Sequence, residues 1–245
     1  MAPARAADSS PATGTTRWNK LRVMEAAGGQ IQGARRRQED AYAIEWIGEG
    51  ACLALVADGL GGLPAGDVAS KEGIAEFLRV FRDEAGVPNT SPLVWLRAAL
   101  IAADRHLHRR QIEEPALFGM STTLVAFYAR GSEAYALSVG DSYLMLQRND
   151  VLYVLNKLHR EGSALTSCVG AHLSEVDIPE PLRIKSGDRF LLATDGITTL
   201  NEATIKQIFA PAGSAQEATR ALLEAVEHAL NLHQDNVTVV AVLVP

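Results

Sequence analysis

Five aspartates, each at the edge of a predicted strand or turn, are the residues of this sequence best suited to chemistry. They are Asp40, Asp58, Asp141, Asp195 and Asp235. They lie too far apart in the chain for a local metal-binding loop, but several directly precede or follow apolar segments that a fold could bring together. Hard divalent cations such as Mg²⁺ and Mn²⁺ prefer carboxylate oxygens as ligands. The pattern therefore predicts one polynuclear metal site built from distant parts of the chain.

Each of these carboxylates also has a simpler interpretation when it is taken alone. An Asp-Gly pair after a strand is a common turn, so Asp58-Gly59 and Asp195-Gly196 are individually typical of turns. Both pairs, however, follow an apolar strand and place a carboxylate where a buried strand emerges. Two matched strand ends favour a shared site over two unrelated turns.

The elements that must position these residues alternate between strand and helix patterns. A hairpin is predicted at residues 45–57, and its fully apolar second arm, residues 51–57, leads directly to Asp58. An antiparallel meander is predicted from residues 121 to 155, with strands at 122–129, 133–139, 143–148 and 151–155. Further strands are predicted at 188–193 and 237–244.

Three helical regions have an apolar face with the period of an α-helix. They are predicted around residues 74–81, 95–107 and 215–230, and Ser91 before Pro92 is a candidate N-cap. Strands in runs and helices in pairs are typical of an α+β protein. We expect four αββα layers, in which helix pairs cover the outer faces of a central antiparallel β sandwich.

Composition narrows the possible classes of protein. The 245 residues are 47% hydrophobic, which suits a single domain with one substantial core. The net charge of −6 gives no broad basic face and argues against nucleic acid as a partner. Only Cys52 and Cys168 are present, so no disulfide framework is expected and a cytoplasmic location fits.

The chain start has a different character from the rest. Residues 1–20 are rich in Ala, Ser, Thr and Pro and lack the apolar segment of a signal peptide. They are predicted to be a disordered tail before one domain at residues 21–245. No later apolar run reaches the length of a membrane span, so no membrane association is expected.

Six short motifs follow one another in collinear order along the chain. They are Arg35-x-x-Gln38-Glu39-Asp40, residues 56–66, Ser121-Thr122-Thr123-Leu124, Val139-Gly140-Asp141-Ser142, residues 187–196, and Asp235-Asn236-Val237-Thr238. Together they resemble the metal-dependent protein phosphatases, the protein phosphatase 2C-like serine/threonine phosphatases, and most closely their bacterial members. The resemblance covers roughly residues 21–244.

The resemblance implies a centre of two Mg²⁺ or Mn²⁺ ions at one end of the sandwich. In that scheme Asp58 bridges both ions and the Gly59 carbonyl binds one of them. Glu39, Asp195 and Asp235 hold the other, Asp40 binds or orients metal-bound water, and Asp141 helps to hold a weaker third ion. Arg35 matches a phosphate-binding arginine; without the resemblance, it would be assigned to a solvated basic run with Arg36 and Arg37.

The activity that the resemblance implies is hydrolysis of phosphoserine and phosphothreonine monoesters by direct attack of a metal-bridging hydroxide. The expected partner is a phosphorylated protein, either a Ser/Thr kinase or its targets, and the expected state is a monomer. Two alternatives differ in class. One is a pseudophosphatase, or phosphoprotein-sensing binding module, which would be indicated by a missing metal ligand. The other is an unrelated α+β protein whose acidic turns are only turns.

Several positions depart from the family pattern. Gln38 stands where bacterial relatives usually have Asn, and this change keeps the amide. Leu60 and Leu63 occupy places where relatives often have His. Tyr143 replaces the Arg that usually follows Gly-Asp-Ser, and Leu158 replaces an Asp before His159. These substitutions are expected to remove contacts around the metal ligands or to change the local structure.

The largest departure is a shortened flap. Relatives usually have a helical flap beside the active site before the segment that matches residues 165–170. Only residues 157–164 remain here, too few for a helix pair. The sequence therefore predicts an open active-site face, with a shallow cleft or a partner determining the choice of substrate.

Overall fold

The computed structural model describes residues 24–48, 50–60, 65–85 and 90–245. The predicted tail at residues 1–20 and the departure at Leu63 lie outside these ranges. Strands β1 to β5 and helices α1 and α2 come first in the chain. They are β1 (Glu25–Ile31), β2 (Asp40–Ile47), β3 (Ala51–Leu60), α1 (Gly66–Glu84), α2 (Pro92–Glu113), β4 (Ser121–Thr122) and β5 (Leu124–Arg130).

The second half of the chain carries the remaining strands and two more helices. They are β6 (Glu133–Val139), β7 (Tyr143–Arg148), β8 (Val151–Val154), β9 (Arg160–Glu161), β10 (Ala164–Leu165), β11 (Leu182–Arg183), β12 (Arg189–Ala193), α3 (Glu202–Phe209), α4 (Ala215–His228) and β13 (Val237–Leu243). Short 3-10 helices lie at Pro115–Leu117 and Asp195–Thr199.

Two antiparallel sheets form the centre of the molecule. The first sheet has the strand order β1-β13-β12-β7-β8, and the second has the order β11-β6-β5-β3-β2 with β4 paired to β3. Strands β9 and β10 form a separate small hairpin. The sheets face one another across an apolar layer that includes Phe127, Phe190 and Val240.

Strand β3 shows how the sequence builds this sandwich. Successive side chains of a strand point to opposite faces, and here both faces are buried. Alternate residues from Cys52 to Val56 pack between the sheets, whereas those from Leu53 to Ala57 pack toward the helices. Asp58 is the next of the alternate residues that face the space between the two sheets. The continuous apolar run therefore ends with a carboxylate on the inner face of the sandwich.

Helices cover both outer faces. On one side Phe77 and Phe81 of α1 and Trp95 of α2 pack against the second sheet, with the Phe81 and Trp95 rings 6.2 Å apart. On the other side Phe209 of α3 and Leu222 of α4 pack against the first sheet. The four-layer αββα prediction is confirmed. No helix in the described part of the chain has the length and apolar character needed to cross a membrane.

The predicted meander at residues 121–155 is wrong in its pairing. Its strands lie within two residues of their predicted bounds, but β5 and β6 belong to the second sheet and β7 and β8 to the first. The chain crosses between the sheets at residues 140–142, where Gly140 has φ 95°. A side chain there would press on Thr123, since a Cβ would lie 2.6 Å from the Thr123 Cγ2. Strand periodicity does not encode which sheet a strand joins, and the crossing places Asp141 where the two sheets meet.

The sequence analysis missed β1 and α3. Strand β1 contains Gly28 and Gly29, which have low strand propensity. Both glycines are needed for packing, because the Tyr42 ring occupies the place of a side chain at Gly28 and α4 lies close to Gly29. Tertiary packing therefore stabilises this strand against its local propensity.

Candidate metal centre

One end of the β2–β3 pair brings four of the predicted site residues together. Asp40 and Asp58 are opposite one another in the antiparallel register. Beyond them, the Gly59 N–H donates to the Glu39 carbonyl oxygen at 3.1 Å. The edge of the second sheet thus presents two buried-strand carboxylates, with Glu39 and the Gly59 backbone beside them.

The first sheet supplies the other carboxylates at the same end of the sandwich. Asp195 begins the 3-10 helix that follows β12, and Asp235 lies two residues before β13. Tyr143, which starts β7, pairs with Ala193 at the end of β12, so Asp141 lies at this end as well. Antiparallel pairing therefore aligns loops that are distant in sequence.

Direct hydrogen bonds join the two sheets at this end. Thr194 Oγ1 donates to Asp40 Oδ2 at 2.9 Å, and the Glu39 N–H donates to Asn236 Oδ1 at 2.8 Å. Thr123 and Ser142 also share a hydrogen bond between their hydroxyls, at 2.8 Å. These contacts hold the carboxylate-bearing strand ends in a fixed relation.

Gly59 must be a glycine because the start of α1 lies against it. A Cβ at Gly59 would overlap the Gly66 carbonyl and would lie 2.6 Å from the Glu39 carbonyl oxygen. A Cβ at Gly66 would in turn lie 2.9 Å from Glu39 Oε1. The Asp-Gly pair is therefore more than a turn, because its glycine permits close backbone packing beside two carboxylates.

Burial and mutual repulsion disfavour negative charge here. Desolvation, and then the charges of the other aspartates, raise the pKa of Asp58 well above its ordinary value. Desolvation is also the main cause that raises the pKa of Asp40 to about 7 and that of Asp195 to about 6. The pKa values of Glu39 and Asp141 are raised by burial too. A site that disfavours its own ionised carboxylates is suited to a compensating cation.

Two further observations concern the arrangement of the carboxylate side chains. Asp40 is 1% exposed, and its Oδ1 is buried with no hydrogen-bond partner. In contrast, the Asp235 carboxylate accepts a hydrogen bond from Arg35 Nη2. Across the described ranges, no three His, Cys, Asp or Glu side chains are arranged so that they could hold an ion. The fold thus gathers the predicted ligands, while their side chains do not converge on one point.

All the predicted site residues lie at this end of the sandwich. Glu39, Asp40, Asp58 and Gly59 come from the second sheet, Asp141, Asp195 and Asp235 from loops of the first sheet, and Arg35 from the β1–β2 loop. Their metal-binding and catalytic roles stay predictions.

Asn236 is the most important site residue whose role the sequence analysis did not assign. Its amide accepts from the Glu39 N–H and donates to the carbonyl oxygens of Gln32 and Arg37, at 2.8 and 2.9 Å. It therefore fixes the loop that carries Arg35. Its position directly after Asp235, and before a mostly apolar strand, was the available signal.

Thr123 has a comparable unassigned role. Its hydroxyl accepts from the Asp58 N–H at 2.9 Å, and its own N–H donates to the Asp58 carbonyl oxygen at 2.9 Å. The residue is fully buried. A polar pair at the start of an apolar strand, Thr122-Thr123, was the signal.

Comparison with known proteins identifies the family. Residues 30–231 match the family described as protein phosphatase 2C. The chain belongs to the protein phosphatase 2C family. It is 30% identical over 213 residues to the serine/threonine protein phosphatase PstP of Mycobacterium tuberculosis strain H37Rv, a match that covers 78% of this chain and 40% of PstP. The chain thus spans less than half the length of that relative. Protein phosphatase PhpP of Streptococcus pneumoniae strain D39 is 25% identical over 232 residues, covering 86% of this chain and 93% of PhpP.

A solved structure shares the fold. The catalytic domain of the serine/threonine protein phosphatase PstP in complex with two manganese ions superposes with a TM-score of 0.78 at 28% identity. The match covers 91% of this chain and 98% of that structure. The αββα architecture is therefore that of protein phosphatase 2C.

The segment predicted to be a shortened flap takes the form of a hairpin in this protein phosphatase 2C member. The structure has no helix between Leu155 and Asp188, in agreement with the prediction that a helix pair is absent. Instead, β9 and β10 form the hairpin, and Arg160 in β9 lies 4.0 Å from the Asp141 carboxylate. An arginine of the short segment therefore reaches the edge of the candidate site.

The same segment is attached to the loop that carries Asp141. The Gly140 N–H donates to His159 Nδ1 at 3.2 Å, and the His159 N–H donates to the Gly140 carbonyl oxygen at 2.9 Å. Asn156 donates to the Ser142 carbonyl oxygen at 2.9 Å. Even with Leu158 in place of the usual Asp, His159 is buried and tied to the site.

Gln38 is the other departure whose role the structure makes clear. Its amide nitrogen donates to the Ile31 carbonyl oxygen at 2.9 Å, and its amide oxygen accepts from the Asp40 N–H at 3.0 Å. Both bonds need an amide. The side chain therefore links the end of β1 to the start of β2, beside the ligands.

Proposed function

We propose that this chain is a Mg²⁺- or Mn²⁺-dependent serine/threonine protein phosphatase that hydrolyses phosphomonoesters. The observation that carries the proposal is the set of desolvated aspartates that two sheets bring to one end of the sandwich, with Asp58 at its centre. Family membership and the manganese-bound PstP structure support it. Repulsion among these aspartates destabilises the fold, so their retention points to a bound cation.

The chemistry of the proposed donors suits two hard cations, and their side chains would converge on the ions when these bind. Every proposed donor is an oxygen, and the partnerless Asp40 Oδ1 is a buried acceptor available for a ligand or for water. Asp58 would lie between the two ions, with the Gly59 carbonyl on one of them. Glu39, Asp195 and Asp235 would bind the other, and Asp141 a weaker third. When bound, the cations neutralise charge on the carboxylates and the phosphate and lower the pKa of water.

Asp40 is suited to orienting a water molecule. Thr194 holds its Oδ2 by a hydrogen bond, and the Thr238 hydroxyl also interacts with the carboxylate, so the group is fixed in direction. Burial raises the pKa of Asp40 to about 7 in the metal-free chain, and bound cations would lower it and leave a carboxylate that accepts hydrogen bonds. We assign it the role of orienting the water that attacks phosphorus.

Arg35 is suited to binding phosphate. Its side chain is 57% exposed, and its guanidinium faces Asp235. A planar guanidinium can donate two parallel hydrogen bonds to a phosphate just as it does to a carboxylate. In the proposed complex Arg35 exchanges Asp235 for two phosphate oxygens, while the loop itself stays fixed by Asn236.

The proposal also covers the domain organisation, oligomeric state, location and partner of the protein. We infer that residues 21–245 form one catalytic domain that acts as a monomer in the cytoplasm on a phosphorylated protein, either a Ser/Thr kinase or its targets. Cys52 is buried and unpaired, and Cys168 is also unpaired, as expected in a reducing compartment.

The test is hydrolysis of a small aryl phosphate by metal-stripped protein, with Mn²⁺ or Mg²⁺ then added back. Asp58→Asn removes the central carboxylate charge at nearly constant size. Asp150→Asn, in the exposed β7–β8 turn, is the matched control because Asn also suits its positive φ of 60°. We expect metal-dependent turnover in the native protein and the control, and none in Asp58→Asn. Metal binding without turnover would favour the phosphoprotein-sensing alternative, and no metal binding would overturn the metal-dependent phosphatase.

A further inference from the structure

A groove of about 610 Å³ lies beside the candidate metal centre, between the β1–β2 loop and the segment that follows α4. Its apolar lining comes from Ile31 at the end of β1, Val226 on α4, and Leu230 and Leu232 after α4. Val226 is buried and forms part of the floor. The catalytic proposal assigns no role to this groove.

The two leucines on its rim are unusual for a protein surface. Leu230 is 82% exposed and Leu232 is 86% exposed. Leu230 also has φ 51°, a left-handed conformation that follows the end of α4, where glycine is the usual residue. A bulky apolar side chain in this conformation, directed to solvent, costs stability. It is therefore a candidate for a functional contact.

Hydrogen bonds keep the groove in shape. The Ala34 N–H donates to the Gln234 carbonyl oxygen at 2.8 Å, which attaches the β1–β2 loop to the segment before β13. Gln234 is buried, and its side-chain Oε1 accepts a hydrogen bond from Thr199 Oγ1 at 2.6 Å. A side chain at Gly33 would overlap the Asp235 carbonyl, so the two segments are also in close contact. A preformed groove loses little conformational entropy when it binds a ligand.

The groove lies next to the proposed phosphate site along two segments of the chain. Ala34 and Gln234 line the groove, and the next residues, Arg35 and Asp235, are the pair that would bind phosphate and metal. An extended peptide advances roughly 3.3 Å per residue. A side chain within about three residues of a phosphate held at Arg35 can therefore reach the groove.

We propose that this groove binds an apolar side chain, such as leucine, within three residues of the phosphorylated residue of a protein substrate. The inference rests on the proposed phosphatase function and adds a substrate preference to it. Glu227 also lines the groove, so an acidic residue at the same substrate position is disfavoured by repulsion.

The test uses phosphothreonine peptides with an alanine and serine background, in which one leucine is moved through the three positions on either side of the phosphothreonine. At one position, leucine should raise kcat/KM about tenfold over serine, as expected for partial burial of a leucine side chain. Aspartate at that position should lower it. Each rate is divided by the rate of the same protein on a small aryl phosphate, which measures competent enzyme.

Two variants and one control decide the outcome. Leu230→Gly removes the rim side chain and suits the left-handed backbone, so the fold is not put at risk. Leu232→Ser removes the second rim side chain. Ile112→Ser, at an equally exposed position of α2, is the control for general loss of apolar surface. We expect the leucine-to-serine ratio to fall to below about threefold in the two rim variants and to stay near tenfold in Ile112→Ser.

Two results would overturn the proposal. One is an equal leucine-to-serine ratio in native protein and in Leu230→Gly. The other is a change of oligomeric state in the rim variants with no change of the ratio, which would make the groove a contact between two copies of this chain. If native protein does not turn over aryl phosphate, the phosphatase proposal fails separately. In that case the dissociation constants of the same labelled peptides in Mn²⁺ must show the leucine preference, and the groove proposal is wrong if they do not.

Discussion

Strand β12 has an aspartate near each end. One carboxylate is paired with an arginine, and the other is surrounded by further carboxylates. Asp188, just before the strand, is 1% exposed, and both of its oxygens are bound by Arg148, at 2.7 and 2.6 Å. Asp195, just after the strand, lies among other aspartates, and burial raises its pKa to about 6. One end of the sandwich contains its own counter-charge, whereas the other end is left with an excess of negative charge.

The difference separates a structural carboxylate from a proposed metal ligand. A buried carboxylate with a bidentate arginine satisfies its charge and hydrogen bonds within the fold and needs nothing else. The carboxylates at the other end repel one another until a cation is supplied. In sequence the two are alike, because Gly187-Asp188 and Asp195-Gly196 both read as turns at a strand end.

The largest expected effect is on turnover at the uncompensated end. Asp195→Asn should lower metal-dependent kcat/KM for an aryl phosphate by about 100-fold or more, because metal ions contribute several kcal/mol of transition-state stabilisation. The folded structure should be retained, as judged by circular dichroism. Full activity in Asp195→Asn would remove it from the proposed ligand set and weaken the comparison.

The next effect is on stability at the compensated end. Arg148→Ala leaves the Asp188 carboxylate buried without its cation and should lower the free energy of unfolding by about 3 kcal/mol. The measurement is urea denaturation, with Arg97→Ala as a control at an exposed arginine of α2. The metal-dependent kcat of Arg148→Ala below its melting range should match that of the native protein. A loss of turnover without a loss of stability would contradict the structural role.

The sequence predicts the carboxylates better than it predicts their surroundings. Asp58 is recognisable because it is the first polar residue after the long apolar run of β3. The bonds of Asn236 to Glu39, Gln32 and Arg37 join segments about 200 positions apart, and no local pattern predicts them. Family motifs mark such a residue without giving its physical role.

In the fold, too, some features are predicted by the sequence and others are not. The continuous apolar run of β3 and the helical period of α1 predict layers, because each depends on one segment and on its burial. The crossing at Gly140 and the formation of β1 depend on contacts with Thr123 and Tyr42 that only the assembled sandwich provides. Local signals therefore predict which elements form, and tertiary packing determines how they pair.

A smaller effect is expected on the stability of metal-free protein. Asp58→Asn removes a desolvated charge that four other aspartates disfavour, so it should raise the free energy of unfolding in EDTA by at least about 1 kcal/mol. Added Mn²⁺ should reverse the order, since it stabilises the native protein and not the variant. Thermal melting with EDTA and with Mn²⁺ measures both. A lower melting temperature of Asp58→Asn in EDTA would show that Asp58 is compensated within the fold, as Asp188 is.

The last expected effect is a pH dependence of metal-free stability. The pKa values of Asp40 and Asp195 are raised to about 7 and about 6 in the folded chain, against about 3.9 in an unfolded chain. The folded state therefore binds more protons between these values. The resulting stabilisation is complete below about pH 4 and is lost as the pH rises through the folded-state pKa values. In EDTA, the free energy of unfolding of native protein relative to Asp40→Asn should thus decrease from pH 5 to pH 7.5. Asp188→Asn, at the compensated end, provides the comparison variant, and a parallel pH dependence of native protein and Asp40→Asn would show that Asp40 carries no excess charge.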